Sequence, residues 1–120
     1  MGSKPDIRIT NQDEITLVEF TSSSVSDVDS ISKVSRLLQD FINLNRPLKL
    51  IFDFEQVSFF SSQVLGLLLE TRKKLLDWKG QVVLSGINAQ LENVFRVTNL
   101  NRVFLFFQDK AAAIQSVTKS

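Results

Sequence analysis

Two sets of side chains in the middle of this 120-residue chain have types and spacing that could do chemistry. Asp53 and Glu55 stand two residues apart at the end of an apolar run, Leu48 to Phe54. On a strand, residues two apart share a face, so these carboxylates make a pair of the kind general acid–base catalysis uses. Further on, Ser61 and Ser62 sit where a helix is expected to begin. A hydroxyl at such a place lies beside unpaired backbone N–H groups and a partial positive charge. It can cap the helix, worth about 1 kcal/mol, or carry a phosphate, which the positive helix end tolerates.

Composition argues against catalysis. The chain has no histidine, which removes the commonest general base and the usual zinc ligand. It has no cysteine, so neither disulfides nor thiolate metal sites can form. No phosphate-cradling glycine-rich loop is present, and no cofactor is expected. With 14 basic and 13 acidic residues the net charge is +1, which gives nucleic acid no basic face to bind. Asp53 and Glu55 are therefore expected to be solvated strand-end charges, with Asp53 supporting the loop or meeting a partner. No apolar run is long enough to span a membrane and no signal-peptide pattern opens the chain, so a soluble cytoplasmic protein is expected. Arg72-Lys73-Lys74 reads as the wet side of a helix.

The elements that position these residues follow from periodicity. Asp6 to Thr10 and Ile15 to Phe20 read as a hairpin. A serine-rich connection, Thr21 to Ser26, leads to Asp27 or Ser26 as N-cap. Val28, Ile31, Val34, Leu38, Phe41 and Ile42 then recur at helical spacing, predicting a helix from about Asp27 to Leu44, closed before Pro47. Leu48 to Phe54 is a buried strand, with Leu48, Leu50, Phe52 and Phe54 on one side and Lys49, Ile51, Asp53 and Glu55 on the other. A helix from Ser62 to Trp78 follows, burying a broad face that includes Leu65, Leu68, Leu69, Leu75 and Leu76. Gly80 is expected to take its left-handed cap, and Gly66 to permit close packing of that helix on the sheet. Of Phe59 and Phe60, one is expected in the core and the other exposed beside the serines. A strand at Gln81 to Ser85, a helix at Ala89 to Thr98, a strand at Val103 to Phe107 and a helix capped by Asp109 complete the chain.

The order β-β-α-β-α-β-α-β-α predicts a single α/β domain, residues 6–118, with a mainly parallel sheet of about five strands, the first antiparallel, and four helices. Right-handed crossovers between neighbouring strands put successive helices on one face. The far face, with Ile51, Val83, Phe104 and Phe106, is then expected to have little cover and to offer a surface for a homodimer or another partner.

The run Phe52-Asp53-Phe54-Glu55-Gln56-Val57-Ser58-Phe59-Phe60-Ser61-Ser62-Gln63-Val64-Leu65-Gly66 resembles the central motif of STAS domains of the anti-sigma factor antagonist type. In that motif an apolar strand and Val-x-Phe precede Asp-Ser-Ser-Gly-Leu-Gly at the start of a helix. Lys79-Gly80-Gln81-Val82-Val83-Leu84 and Leu91 to Leu100 match later parts of the family pattern. The resemblance implies a non-enzymatic regulator that binds an anti-sigma factor, a GHKL-type serine kinase, through residues 59–63. It places Ser61, Ser62, Gln63, Asp53 and Phe60 in the contact. The family's usual phospho-acceptor is the second serine of the motif, and that position is Gln63 here. The family also includes scaffold subunits of stressosome-like assemblies and accessory subunits of lipid transporters, and both stand as alternatives.

Overall fold

The structure, a computed structural model, describes residues 7–118; Asp6, where the first strand was expected to begin, lies outside them. Strands β1 (Ile7–Gln12) and β2 (Ile15–Phe20) form the hairpin. Its two-residue turn needs a left-handed residue, and in the absence of glycine Asp13 takes it at φ 57°. A two-residue strand, β3 (Ser24–Val25), precedes helix α1 (Val28–Asn45). The Asp27 carboxylate caps α1, accepting from the Ser30 N–H at 2.9 Å. Strand β4 (Lys49–Asp53), a second short strand β5 (Phe59–Phe60) and helix α2 (Ser62–Leu76) come next. Strand β6 (Gln81–Ser85), helix α3 (Ala89–Val97), a 3₁₀ turn (Leu100–Arg102), strand β7 (Leu105–Phe107) and helix α4 (Lys110–Thr118) follow.

The main sheet has the order β1-β2-β4-β6-β7, antiparallel only between β1 and β2. Strand β4, buried from Leu50 to Asp53, lies at its centre. The expected α/β architecture is thus observed. The larger core lies between this sheet and α1, α2 and α3, built on Phe20, Phe52, Phe54, Phe60 and Phe95 with aliphatic neighbours. Successive rings touch: Phe54 and Phe60 at 5.6 Å, Phe60 and Phe95 at 5.8 Å, both edge to face.

The far face differs from expectation. It is covered by α4, whose Ala113 and Val117 pack on Ile51 and Val83. Small residues let this helix lie close to the sheet. Lys110 Nζ holds one end, donating to Glu19 Oε2 at 2.8 Å, and Lys49 Nζ holds the other, donating to the Val117 carbonyl. The parity of the last strand is also reversed. Leu105 pairs with Val83, so Phe104 and Phe106 turn into the larger core. Val103 to Phe107 is apolar at every position, and alternation could not decide which residues face which way.

Smaller departures share a cause, the finite width of a helix face. Val28, Leu69 and Leu76 are exposed, because the buried stripes of α1 and α2 are narrower than their apolar content. Lys79, not Gly80, takes the left-handed conformation after α2. Gly80 is needed for space: a Cβ there would come within 2.9 Å of Leu75 Cβ. Among the described residues no helix is long and apolar enough to cross a membrane.

Candidate functional site

The strand–helix corner from Asp53 to Gln63 is built on a platform that periodicity did not reveal. After β4 the Phe54 N–H donates to the Ser85 carbonyl, and a turn closes with the Val57 N–H donating to the Phe54 carbonyl at 2.9 Å. The chain then pairs with the serine-rich connection. Ser58 and Phe59 N–H groups donate to the Ser23 carbonyl, and the Ser61 N–H to that of Val25 at 3.0 Å. This small parallel sheet of β3 and β5 stands apart from the main one. Asn88 adds a strut from the other side: its amide donates to the Val57 carbonyl at 3.2 Å, while its side-chain oxygen caps α3 by accepting from the Leu91 N–H. The corner is therefore held by two separate segments, residues 23–25 and 85–88, and not left as a free loop.

Those bonds decide which side chains look outward. Phe60 is 4% exposed and is the core residue of its pair; Phe59 is 50% exposed. Phe60, expected at the contact, is thus a support, and the outward ring belongs to Phe59. Ser62 and Gln63 are both exposed on the first turn of α2. Ser61 occupies the N-cap position, but its hydroxyl caps nothing. Its Oγ is buried and has no hydrogen-bond partner among the described residues. The turn is closed by the backbone, with the Val64 N–H donating to the Ser61 carbonyl at 3.0 Å. The expected capping role of the serines is therefore replaced by main-chain closure, and Ser62 carries the one hydroxyl of the pair that solvent reaches.

Asp53 is not a solvated strand-end charge. It is 3% exposed. One carboxylate oxygen accepts from Ser85 Oγ at 2.7 Å, and the other faces the Glu55 N–H at 3.4 Å. Gly86 lies against this pair with φ +70°, and a Cβ on it would come within 2.8 Å of the Glu55 nitrogen. Asp53 thus braces the turn from the far face of the sheet while Glu55 stands in solvent. With Asp53 buried against Ser85 and Glu55 in solvent, the two carboxylates do not share the common environment that an acid–base pair needs. Among the described residues no cluster of three acidic side chains could hold a metal. Sheet, brace and strut all serve to present Phe59, Ser62 and Gln63 outward.

One family model, the STAS domain, matches residues 6–113, a span that takes in this corner and the elements around it. The chain belongs to the STAS domain family. Members of this kind are non-catalytic regulatory domains. A search of curated proteins found no match. Among solved structures, the fold is similar to that of the unphosphorylated anti-sigma factor antagonist SpoIIAA, with a TM-score of 0.82 and 17% identity over 95% of this chain and 97% of that one. An anti-sigma-factor antagonist (STAS) domain protein from Planctomyces limnophilus gives a TM-score of 0.83 and 22% identity over 95% and 98%. The S58E form of RsbS from Moorella thermoacetica gives 0.77 and 15% over 94% and 95%. At these identities the likeness is one of fold.

Proposed function

We propose that this STAS domain is an anti-sigma factor antagonist. It binds an anti-sigma factor of the serine-kinase type through residues 59–63 and so frees a sigma factor. The observation that carries this reading is the exposure of Phe59, Ser62 and Gln63 together on a corner fixed by backbone hydrogen bonds. A half-exposed aromatic ring on a rigid support is the usual form of an interface anchor. A corner held in place before binding also loses little conformational freedom on association. Neither α4 nor the β1–β2 hairpin obstructs the surface: α4 lies across the opposite face, and the hairpin forms one edge of the sheet.

Gln63 stands at the family's usual acceptor position and has no hydroxyl. The neutral amide keeps the corner permanently in its binding form at that point. Any remaining phosphorylation falls on Ser62, because Ser61 Oγ is buried. A phosphate there adds about two negative charges; the end of α2 tolerates them, but a desolvated protein interface does not.

The test is a calorimetric titration of the purified kinase-type anti-sigma factor with the wild-type chain and with Ser62→Asp. Binding by the wild type and a loss of at least about 30-fold in the variant, the size of a hot-spot effect, are expected. Equal affinities would remove the corner from the interface. Incubation with the kinase and ATP followed by mass spectrometry tests the fixed state: high-stoichiometry phosphate on Ser61 or Ser62 would contradict it.

A further inference from the structure

Gly66 has no purpose inside the fold. It is an interior residue of α2, yet a Cβ placed on it meets nothing within 4 Å. Its backbone is not in the left-handed region that calls for glycine. The close packing on the sheet expected of it is absent, since the residue points to solvent. Glycine in a helix interior is less stable than alanine, because it loses more backbone freedom and packs no side chain. The helix therefore bears a weakness from which the isolated domain gains nothing.

What Gly66 faces is an open cleft of about 630 Å³ between α1 and α2. Ile31 and Leu67, both buried, form its floor. Arg36 of α1 and Glu70 of α2 line it with opposite charges. Neither has an ion-pair partner among the described residues. Gln63, the last residue of the recognition corner, lies at the same cleft, so the two surfaces are continuous.

We propose that this cleft receives a helix of the protein partner, crossing α2 at Gly66. A missing Cβ there lets the two backbones approach more closely than the 8–10 Å that ordinary side chains impose. The chemistry of the walls describes the visiting helix. It carries a small residue opposite Gly66, an apolar stripe for the floor, an acidic group towards Arg36 and a basic one towards Glu70. This inference rests on the proposed antagonist function and adds the shape of the segment that the partner contributes.

The experiment compares wild type, Gly66→Ala, Gly66→Leu and Ser62→Asp by thermal unfolding, light scattering and titration with the purified kinase-type anti-sigma factor. Alanine and leucine are good helix formers and meet open space, so both variants fold. Gly66→Ala is expected to raise Tm by about 4 °C. Gly66→Leu is expected to weaken binding at least about tenfold through lost close approach. A fall in Tm for Gly66→Ala would mean that the fold needs the glycine, and overturns the inference. If Gly66→Leu binds within threefold of wild type while Ser62→Asp does not bind, the cleft is not the contact, although the antagonist reading stands. If the wild type does not bind, both fall. A wild-type dimer that Gly66→Leu dissociates would name a second copy as the occupant and likewise overturn the proposal.

Discussion

Phe59 and Phe60 are adjacent and chemically identical, yet the structure gives them opposite environments. Replacing each by alanine separates fold from recognition. Phe60 is buried and meets Phe54 and Phe95 edge to face at 5.6 and 5.8 Å. Truncating a buried Phe costs about 3–5 kcal/mol, through lost transfer energy and the cavity left behind. Two aromatic contacts, each worth about 0.5–1.5 kcal/mol beyond area, put Phe60→Ala in the upper part of that range. Against a total stability of about 5–15 kcal/mol, that is a large share. Phe59 leaves half its surface in water, so Phe59→Ala forfeits about half of the 1.5–3 kcal/mol for a fully buried side chain, or about 1 kcal/mol. Urea unfolding of the two variants measures both costs, and titration with the anti-sigma factor measures the other half of the prediction. Phe59→Ala is expected to unfold nearly as wild type but to bind at least about 30-fold more weakly. Phe60→Ala is expected to be destabilised by about 4–5 kcal/mol. A Phe60→Ala chain within about 1 kcal/mol of wild type, or a Phe59→Ala chain losing more than about 2 kcal/mol, would show that the rings are oriented the other way.

Two further outcomes follow from the same geometry. Gly86→Ala puts a Cβ 2.8 Å from the Glu55 nitrogen at φ +70°, so it is expected to cost about 1–3 kcal/mol in urea unfolding; a neutral result would mean that the turn after Asp53 yields freely. Stability is also expected to respond to pH only at its extremes, because the chain has no histidine or cysteine to titrate near neutrality. The backbone N–H and hydroxyl of Ser30 hold the Asp27 carboxyl below the usual carboxylate range, so its contribution to α1 is complete above about pH 4 and is lost as pH falls through the lowered value. The hydrogen bond and charge of Glu19 raise Lys110 above the ordinary lysine range, so its hold on α4 is complete below that range and is lost as pH rises through the raised value. Hydrogen exchange of α4 amides at neutral pH checks the second: faster exchange in Lys110→Met than in wild type is expected, and equal protection there would discount the ion pair.

Much of this fold was legible because the relevant signals are local. Apolar spacing marked α1 and α2, and Asp27 and Asp109 stand just ahead of their helices. The motif around Ser61 and Ser62 marked the corner itself. What escaped depends on contacts distant in sequence. The β3–β5 pair is two residues a side, too short for any alternation, and shows only when Val25 and Ser61 meet in space. Asp53 looked like a solvated end because nothing near it in the chain reveals Ser85, 32 residues on. Phe59 and Phe60 could not be told apart by hydrophobicity; the bonds to Ser23 and Val25 chose between them. Gly66 misled for the opposite reason. A helical glycine beside a sheet suggests tight packing, and only the open space around it shows that the fold does not require one.

Recognition through the corner is tested most directly by amide chemical shifts of the isotope-labelled wild-type chain during titration with the anti-sigma factor. Shifts and broadening concentrated at residues 58–66 and along the facing turns of α1, with α4 and the β1–β2 hairpin unmoved, are expected. Perturbation centred on α4 or the free edge of β1, with Phe59, Ser62 and Gln63 silent, would contradict it.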